Sequence, residues 1–252
     1  MPEGRPPHPD RGTIEFVAET GSTSTDLLQR GRSGRLVAEG HWLVADQQHG
    51  GRGRQGRTWL SAPGNFMGST VIAVHQGSPP VTTLPLACGL AVLEALVPLI
   101  PAPGQLQLKW PNDVLLRGNK VAGILLEREG QTIIAGMGVN LAAAPAVPNW
   151  RPGTLSDVAP VPDRDSFAHN LAAMLARELR RWREDGAEAT IARWLAAAHP
   201  VGSLLSVHDE GAVRITGRFS GLEPDGALRL AVDDGSTRVI RAGDVVLEGC
   251  EA

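Results

Sequence analysis

The chain has 252 residues, 42% of them hydrophobic, and a formal net charge of −3. That length holds one large domain or a medium domain with a small one, and the apolar share can bury a sizeable core, which excludes a wholly disordered chain. The acidic balance argues against bulk electrostatic binding of nucleic acid, and the only two cysteines, Cys88 and Cys250, are too far apart for a disulfide framework or a metal-ligand spacing.

Residues 1–13 begin MPEGRPPHPDRG, proline-rich and without an apolar segment, so they predict a disordered tail and no signal peptide. IEFVA (14–18) predicts a short strand. The hydroxyl cluster Ser22-Thr23-Ser24-Thr25-Asp26 can then cap a helix running through Leu27 and Leu28. WLVA (42–45) and FMGSTVIAV (66–74) predict strands on either side of a glycine- and arginine-rich loop. LPLACGLAVLEALVPL (84–99) is apolar on nearly every face and predicts a buried helix; Glu94 and the prolines argue against a membrane span. LQLKW (106–110), DVLL (113–116), KVAGILLE (120–127) and QTIIAGMGVNL (131–141) complete a predicted central sheet, with Arg117-Gly118-Asn119 as a hairpin turn. After a proline-rich stretch (145–162), Asp163 or Asp165 starts a helix through Trp182. Phe167, Leu171, Leu175, Leu179 and Trp182 fall on its core face, and Arg177, Arg180, Arg181 and Arg183 on its solvated side. From Val201 onward short strands (AVRITGRFS, GALRLAV, STRVIRAG, DVVLEG) broken by glycine turns predict a small barrel, with His199-Pro200 as the boundary. The reading gives three parts: a tail at 1–13, a large domain at 14–199 and a small one at 200–252. No internal repeat is visible.

The segment Gln48-His49-Gly50-Gly51-Arg52-Gly53-Arg54-Gln55-Gly56-Arg57-Thr58-Trp59 carries the most chemistry. Its glycines free the backbone to wrap a ligand, and its arginines are fixed cationic donors for phosphate and carboxylate oxygens. Ordering so much glycine is costly, so residues 50–56 are expected to be mobile without ligand. Taken alone, this run fits an RNA-binding tract or a solvated loop better. It lacks the Gly-Lys-Ser/Thr ending of a Walker loop, and GMGVNL lacks the third glycine of a dinucleotide fingerprint. Lys109-Trp110-Pro111-Asn112-Asp113 adds a cation, an amide and a carboxylate. Lys120-Val121-Ala122-Gly123-Ile124-Leu125 places one lysine at the head of an apolar strand, and Gly136-Met137-Gly138-Val139-Asn140 ends a strand on an amide. Singly, Lys120 would be an exposed hairpin lysine, Asp113 a turn residue, and the glycine pair a packing site.

Together and in this order, Ser22-Thr23-Ser24, QxxGRGRxGRxW (48–59), KWPND (109–113), KxAGIL (120–125) and GxGxN (136–140) resemble the biotin–protein ligase family. The resemblance covers roughly residues 14–250. It implies an α+β fold: a central mixed β-sheet flanked by helices, as in a class II synthetase-like catalytic domain, then a small SH3-like β-barrel. It also implies activation of biotin by ATP with Mg²⁺ to biotinyl-5'-AMP, and transfer to a lysine of a biotin carboxyl carrier protein. By the same resemblance Ser22, Thr23, Ser24, Gln48, Gly51, Arg52, Gly53, Arg54, Lys120 and Gly123 would hold biotin. Arg54, Arg57, Trp59, Asn112, Lys120 and Asn140 would hold ATP; Lys120, Arg54 and Asp113 would be catalytic, and Asp113 would face the metal or the incoming lysine. Ser24 stands where the family commonly has asparagine, and His49-Gly50 where it has threonine-alanine. The repressor members carry an N-terminal helix-turn-helix; here a proline-rich tail precedes the first strand, so the chain reads as a cytoplasmic ligase without DNA or membrane binding. A homodimer is compatible with the resemblance. A lipoate–protein ligase, which shares fold and reaction type, is the nearest alternative; an Arg/Gly-loop RNA-binding protein is the alternative from another class.

Overall fold

The computed structural model describes residues 12–35, 37–145, 152–208 and 214–248. Most of the expected tail, Cys250 and part of the proline-rich stretch lie outside them. Seven strands form one sheet: β1 (Ile14–Thr20), β2 (Trp42–Gln48), β3 (Phe66–Ala73), β4 (Leu106–Lys109), β5 (Asp113–Leu116), β6 (Asn119–Glu129) and β7 (Thr132–Val139). Their order is β1-β2-β3-β7-β6-β5-β4; β1 and β2 run parallel, and every other neighbouring pair is antiparallel. The parallel pair β1 and β2 is joined by a crossover through α1 (Thr23–Arg32), and a second crossover carries the chain from β3 past β7, β6 and β5 to β4 at the far edge. The β5–β6 hairpin closes on Arg117 and Gly118, both at positive φ, as the sequence predicts.

Alternation along the strands sorts the two faces. Trp42, Val44, Ile124, Ala135 and Met137 join a large core with the helices α2 (Leu84–Leu96) and α3 (Arg164–Ala197). Leu43, Val71 and Ile134 point the other way and pack with Leu27 of α1 in a small cluster. One face is therefore fully covered, and the other is covered by α1 over only part of its area.

Val81–Leu99 is apolar and long enough for a membrane span by length and composition, contrary to the sequence-based expectation, yet most of it is buried in this core. α3 has the expected stripe of Phe167, Leu171, Leu175, Leu179 and Trp182, but it continues past Trp182 through a break at Gly186, whose φ of 84° and ψ of −178° are non-helical. Three of the four arginines assigned to its solvated side are ion-paired: Arg177 and Arg181 with Glu94, Arg181 also with the buried Glu178, and Arg183 with Glu39.

The C-terminal unit is a five-stranded antiparallel sheet of β8 (Leu204–His208), β9 (Arg214–Leu222), β10 (Leu228–Ala231), β11 (Thr237–Ile240) and β12 (Asp244–Leu247), in the order β11-β10-β9-β8-β12. It is consistent with the SH3-like unit, open between β11 and β12. β8, which the strand reading passed over, pairs with both β9 and β12. Leu205, Val207, Phe219, Leu228, Leu230 and Val245 belong to the same continuous core as the large sheet. Trp110 Nε1 donates to Gly226 O at 2.9 Å, and Lys109 Nζ to Val245 O at 3.1 Å. The small sheet is thereby seated against the end of β4.

Candidate active site

The incompletely covered face of the large sheet floors a cavity of 510 Å³. Its floor is nearly bare of side chains. Gly123 on β6 pairs with Gly138 on β7, and Gly136 lies beside Leu125 and Ser69. A Cβ on Gly138 would come within 2.2 Å of the Trp59 ring, and one on Gly136 within 2.5 Å of Ser24 Oγ. The glycines therefore let an indole and a hydroxyl approach the sheet's backbone. Trp59 lies against that floor with Lys120 Nζ 5.8 Å from its ring centroid, and its buried Nε1–H has no partner among the described residues.

At one end of the cavity is a hydroxyl pit. Ser22 caps α1, so the helix presents its positive N-terminal end there. Gln48 Oε1 accepts from Thr23 N at 2.8 Å and from Thr23 Oγ1 at 3.1 Å. Ser69 Oγ lies 2.7 Å from Thr23 Oγ1 and 2.8 Å from Ser24 Oγ. Hydroxyls serve as donors or acceptors, so this pit suits a small polar head group with both functions.

Toward the other end the charged groups gather. Asp113 is buried between two ammonium groups, with Lys120 Nζ at 2.5 Å and Lys109 Nζ at 3.2 Å. Burial alone would raise its carboxyl, but the charge of Lys120, then of Lys109, outweighs burial and holds it below the usual carboxylate range. For Lys109 burial dominates and lowers its affinity for a proton despite Asp113. Asn112 donates to Ile124 O at 2.5 Å and lies 3.5 Å from Arg54 Nη1. Asn140 bridges to Gly153 O at 3.0 Å and to Asn65 at 3.4 Å.

Residues 48–61 roof the cavity as a short hairpin. Ser61 Oγ clamps Gln48 N and O at the base, Trp59 N donates to Gly51 O at 2.9 Å, and Gly53 N donates to Arg57 O at 2.7 Å. The tip, Arg54–Gly56, turns through positive φ at Gln55 and Gly56. It reaches the small sheet: Arg54 Nη1 is 3.3 Å from Gly243 O, and Arg57 pairs with Asp244 at 2.7 Å. The hairpin is held by side-chain contacts that the glycine-arginine run does not display.

All the sequence-chosen residues except Gly51 line the cavity, and Gly51 pairs through its backbone with Trp59 across the hairpin. Two of these residues have charged partners of their own. Arg52, expected among the residues that hold biotin, directs its guanidinium to Glu127 at 2.8 Å and to Thr25 at 3.0 Å. Asp113, expected to face the metal or the incoming lysine, has its oxygens engaged by two lysines, with which a divalent cation would compete, and no group of three His, Cys, Asp or Glu suited to a metal gathers among the described residues. Sequence reasoning missed Ser69, Asp244 and Val245 as lining residues. Ser69 had a faint signal, a hydroxyl beside Gly68 in an apolar strand; the C-terminal residues had none, being nearly two hundred positions from the loop they meet.

Residues 17–142 match the Biotin/lipoate A/B protein ligase family, and residues 209–248 match the Biotin protein ligase C terminal domain. A biotin–[acetyl-CoA-carboxylase] ligase of Mycobacterium tuberculosis is 37% identical over 238 residues, which is 92% of this chain and 88% of that protein. The chain belongs to the biotin/lipoate protein ligase family. Another family member, the biotin–[acetyl-CoA-carboxylase] ligase of Paracoccus denitrificans, is 35% identical over 93% of this chain and all of its own length. Among solved structures of the family, the biotin protein ligase of Aquifex aeolicus in complex with biotin and ATP superposes with a TM-score of 0.80. It is 28% identical and covers 93% of this chain and 98% of that one.

Proposed function

We propose that this chain activates biotin with MgATP to biotinyl-5'-AMP and then transfers the biotinyl group to a lysine of a biotin carboxyl carrier protein. The observation that carries the reading is the polarity of one continuous cavity, a neutral hydroxyl pit at one end and Lys120, Asn112 and Arg54 at the other. A ligand with an uncharged polar ring and an anionic tail matches that gradient.

In the first step a carboxylate oxygen of biotin attacks the α-phosphorus of ATP and pyrophosphate leaves. Two anions must approach, so the site has to offset their repulsion. Lys120 lies where a carboxylate and an α-phosphate would meet on the glycine floor, and Asp113 positions it from below. Mg²⁺ belongs to this account as part of the nucleotide substrate, on the ATP phosphates rather than on Asp113. Thr23, Ser24, Ser69 and Gln48 hold the ring, with the Gly51–Gly53 backbone over it; Trp59, Arg57, Asn112 and Asn140 surround the nucleotide. In the second step the carrier's neutral lysine amine attacks the acyl carbon, AMP leaves, and the nitrogen loses a proton. The roof excludes water from the mixed anhydride between the steps. The large unit, 14–199, binds both substrates, and the unit at 200–252 closes the nucleotide end. We place the enzyme in the cytoplasm, where its substrates and carrier are, acting without DNA or a membrane.

Biotin or lipoate with MgATP, analysed by mass spectrometry, tests this directly. Biotinyl-AMP and an acylated carrier lysine are expected; lipoyl-AMP in its place would overturn the substrate assignment.

A further inference from the structure

Of the three arginines in the roof hairpin, Arg54 and Arg57 reach the small sheet, whereas Arg52 turns to the opposite side. Its Nη2 lies 2.8 and 3.1 Å from the two Glu127 oxygens and 3.0 Å from Thr25 Oγ1 on α1. Glu127 follows Gly123 and Leu125 at alternate positions of β6, so it stands on the cavity's own face of the sheet, just beyond the floor.

The backbone at this point gives the contact its leverage. Arg52 is bridged to Thr58, and the flanking hydrogen bonds belong to Gly51 O and Gly53 N. In an antiparallel ladder that pattern turns the N–H and C=O of Arg52 away from its hairpin partner. The orientation of this peptide is then set by what holds the side chain, and the glycines on both sides offer no stiffness of their own.

We propose that Glu127, assisted by Thr25, is a positioning residue that pins the first turn of the roof, and that its ion pair with Arg52 slows escape of the acid and its adenylate from the cavity. The part concerning the adenylate rests on the ligase reading above. The opposite role is well defined: if Arg52 were itself a ligand for the substrate carboxylate, Glu127 would compete for it, and removing Glu127 would tighten binding. The two roles differ in sign.

Two measurements on the whole 252-residue chain test this. In the ligand-free protein, amide hydrogen exchange at 51–53 should rise in Glu127→Gln while exchange in the core strands stays as in wild type. This arm is independent of what the cavity binds, and unchanged exchange overturns the pinning. In the second arm, biotinyl-AMP is formed in a single turnover and its release is followed by tryptophan emission. Glu127→Gln should release it roughly three- to fivefold faster, the range open to a partly exposed ion pair, with adenylate formation within about twofold of wild type. The swapped pair Arg52→Glu with Glu127→Arg should restore slow release. Slower or unchanged release in Glu127→Gln overturns the proposal, as does failure of the swap to rescue. A wild-type protein that forms no adenylate from biotin would defeat the ligase reading and leave the exchange result to decide the pinning.

Discussion

Lys120 and Gly138 show how much of the chemistry depends on single positions. Lys120 is partly exposed in the cavity, its ammonium against Asp113 and near the Trp59 ring. Its charge would be needed only when carboxylate and phosphate meet, so Lys120→Ala should slow adenylate formation by about 100-fold, near 3 kcal/mol of barrier, with the far-ultraviolet spectrum unchanged. Wild-type rates in that variant would remove the assigned role. Gly138 contributes by absence. Its missing Cβ lets the Trp59 ring lie on the sheet, and an alanine there would place a carbon 2.2 Å from that ring. Gly138→Ala should expel the indole, shift its emission to the red and raise the ATP KM by about tenfold or more, because the nucleotide pocket loses a wall. Unmoved emission and KM would show that the contact has no part in binding. Sequence identified Lys120 and the GxGxN glycines through their company, whereas Glu127 entered only as the last residue of a predicted strand. The difference is physical: a backbone clash leaves a glycine in the sequence, but an ion pair leaves only two common residues 75 positions apart.

The strands and α2 were legible because their apolar runs are long and their turns carry glycine, as at Arg117-Gly118. α3 was legible up to Trp182 and then obscured, since Gly186 reads as a terminator although it is a kink with more helix beyond. β8 was passed over; its run SLLSVH has two serines, and Ser206 is buried with its hydroxyl on Glu248 and Thr216 rather than in solvent. The roof hairpin was visible as a composition and invisible as a shape. Its geometry comes from Ser61 at the base and Asp244 at the tip, neither of which belongs to the glycine-arginine run. Asp244→Asn should keep the fold and weaken the tip's anchor, raising the ATP KM by up to about fivefold, the limit for a pair this exposed. Because the pair is exposed, raising the salt concentration should shrink the difference between variant and wild type. A difference that persists undiminished in high salt would point to a contact other than the ion pair.

At the scale of the whole molecule the decisive residue is His199, at the junction of α3 and the small sheet. It is buried against Phe219, with ring centroids 4.5 Å apart. Burial, reinforced by the charge of Lys109 and only partly offset by a hydrogen bond with the Pro200 backbone, lowers its pKa to about 4. The unfolded chain, with an ordinary histidine near 6.5, therefore binds more protons between those values. The stability is fully present above pH 6.5 and is lost as pH falls toward 4, by on the order of 3 kcal/mol. Urea unfolding should show that decline in wild type, and His199→Phe should flatten the part due to this ring; an equal decline in both would exonerate it. Sequence placed the boundary between the units at His199-Pro200, and the chain does change from helix to strand there, but it did not reveal that one hydrophobic core runs across the boundary. That continuity has an evolutionary consequence. A recombination event at residue 200 would join a C-terminal sheet to half of someone else's interior, with Trp110 seeking a carbonyl at Gly226 and Lys109 one at Val245. Lineages should therefore inherit the two units together, with substitutions on either side of the seam occurring in pairs, and chimeras cut at that point should need several compensating changes before they fold.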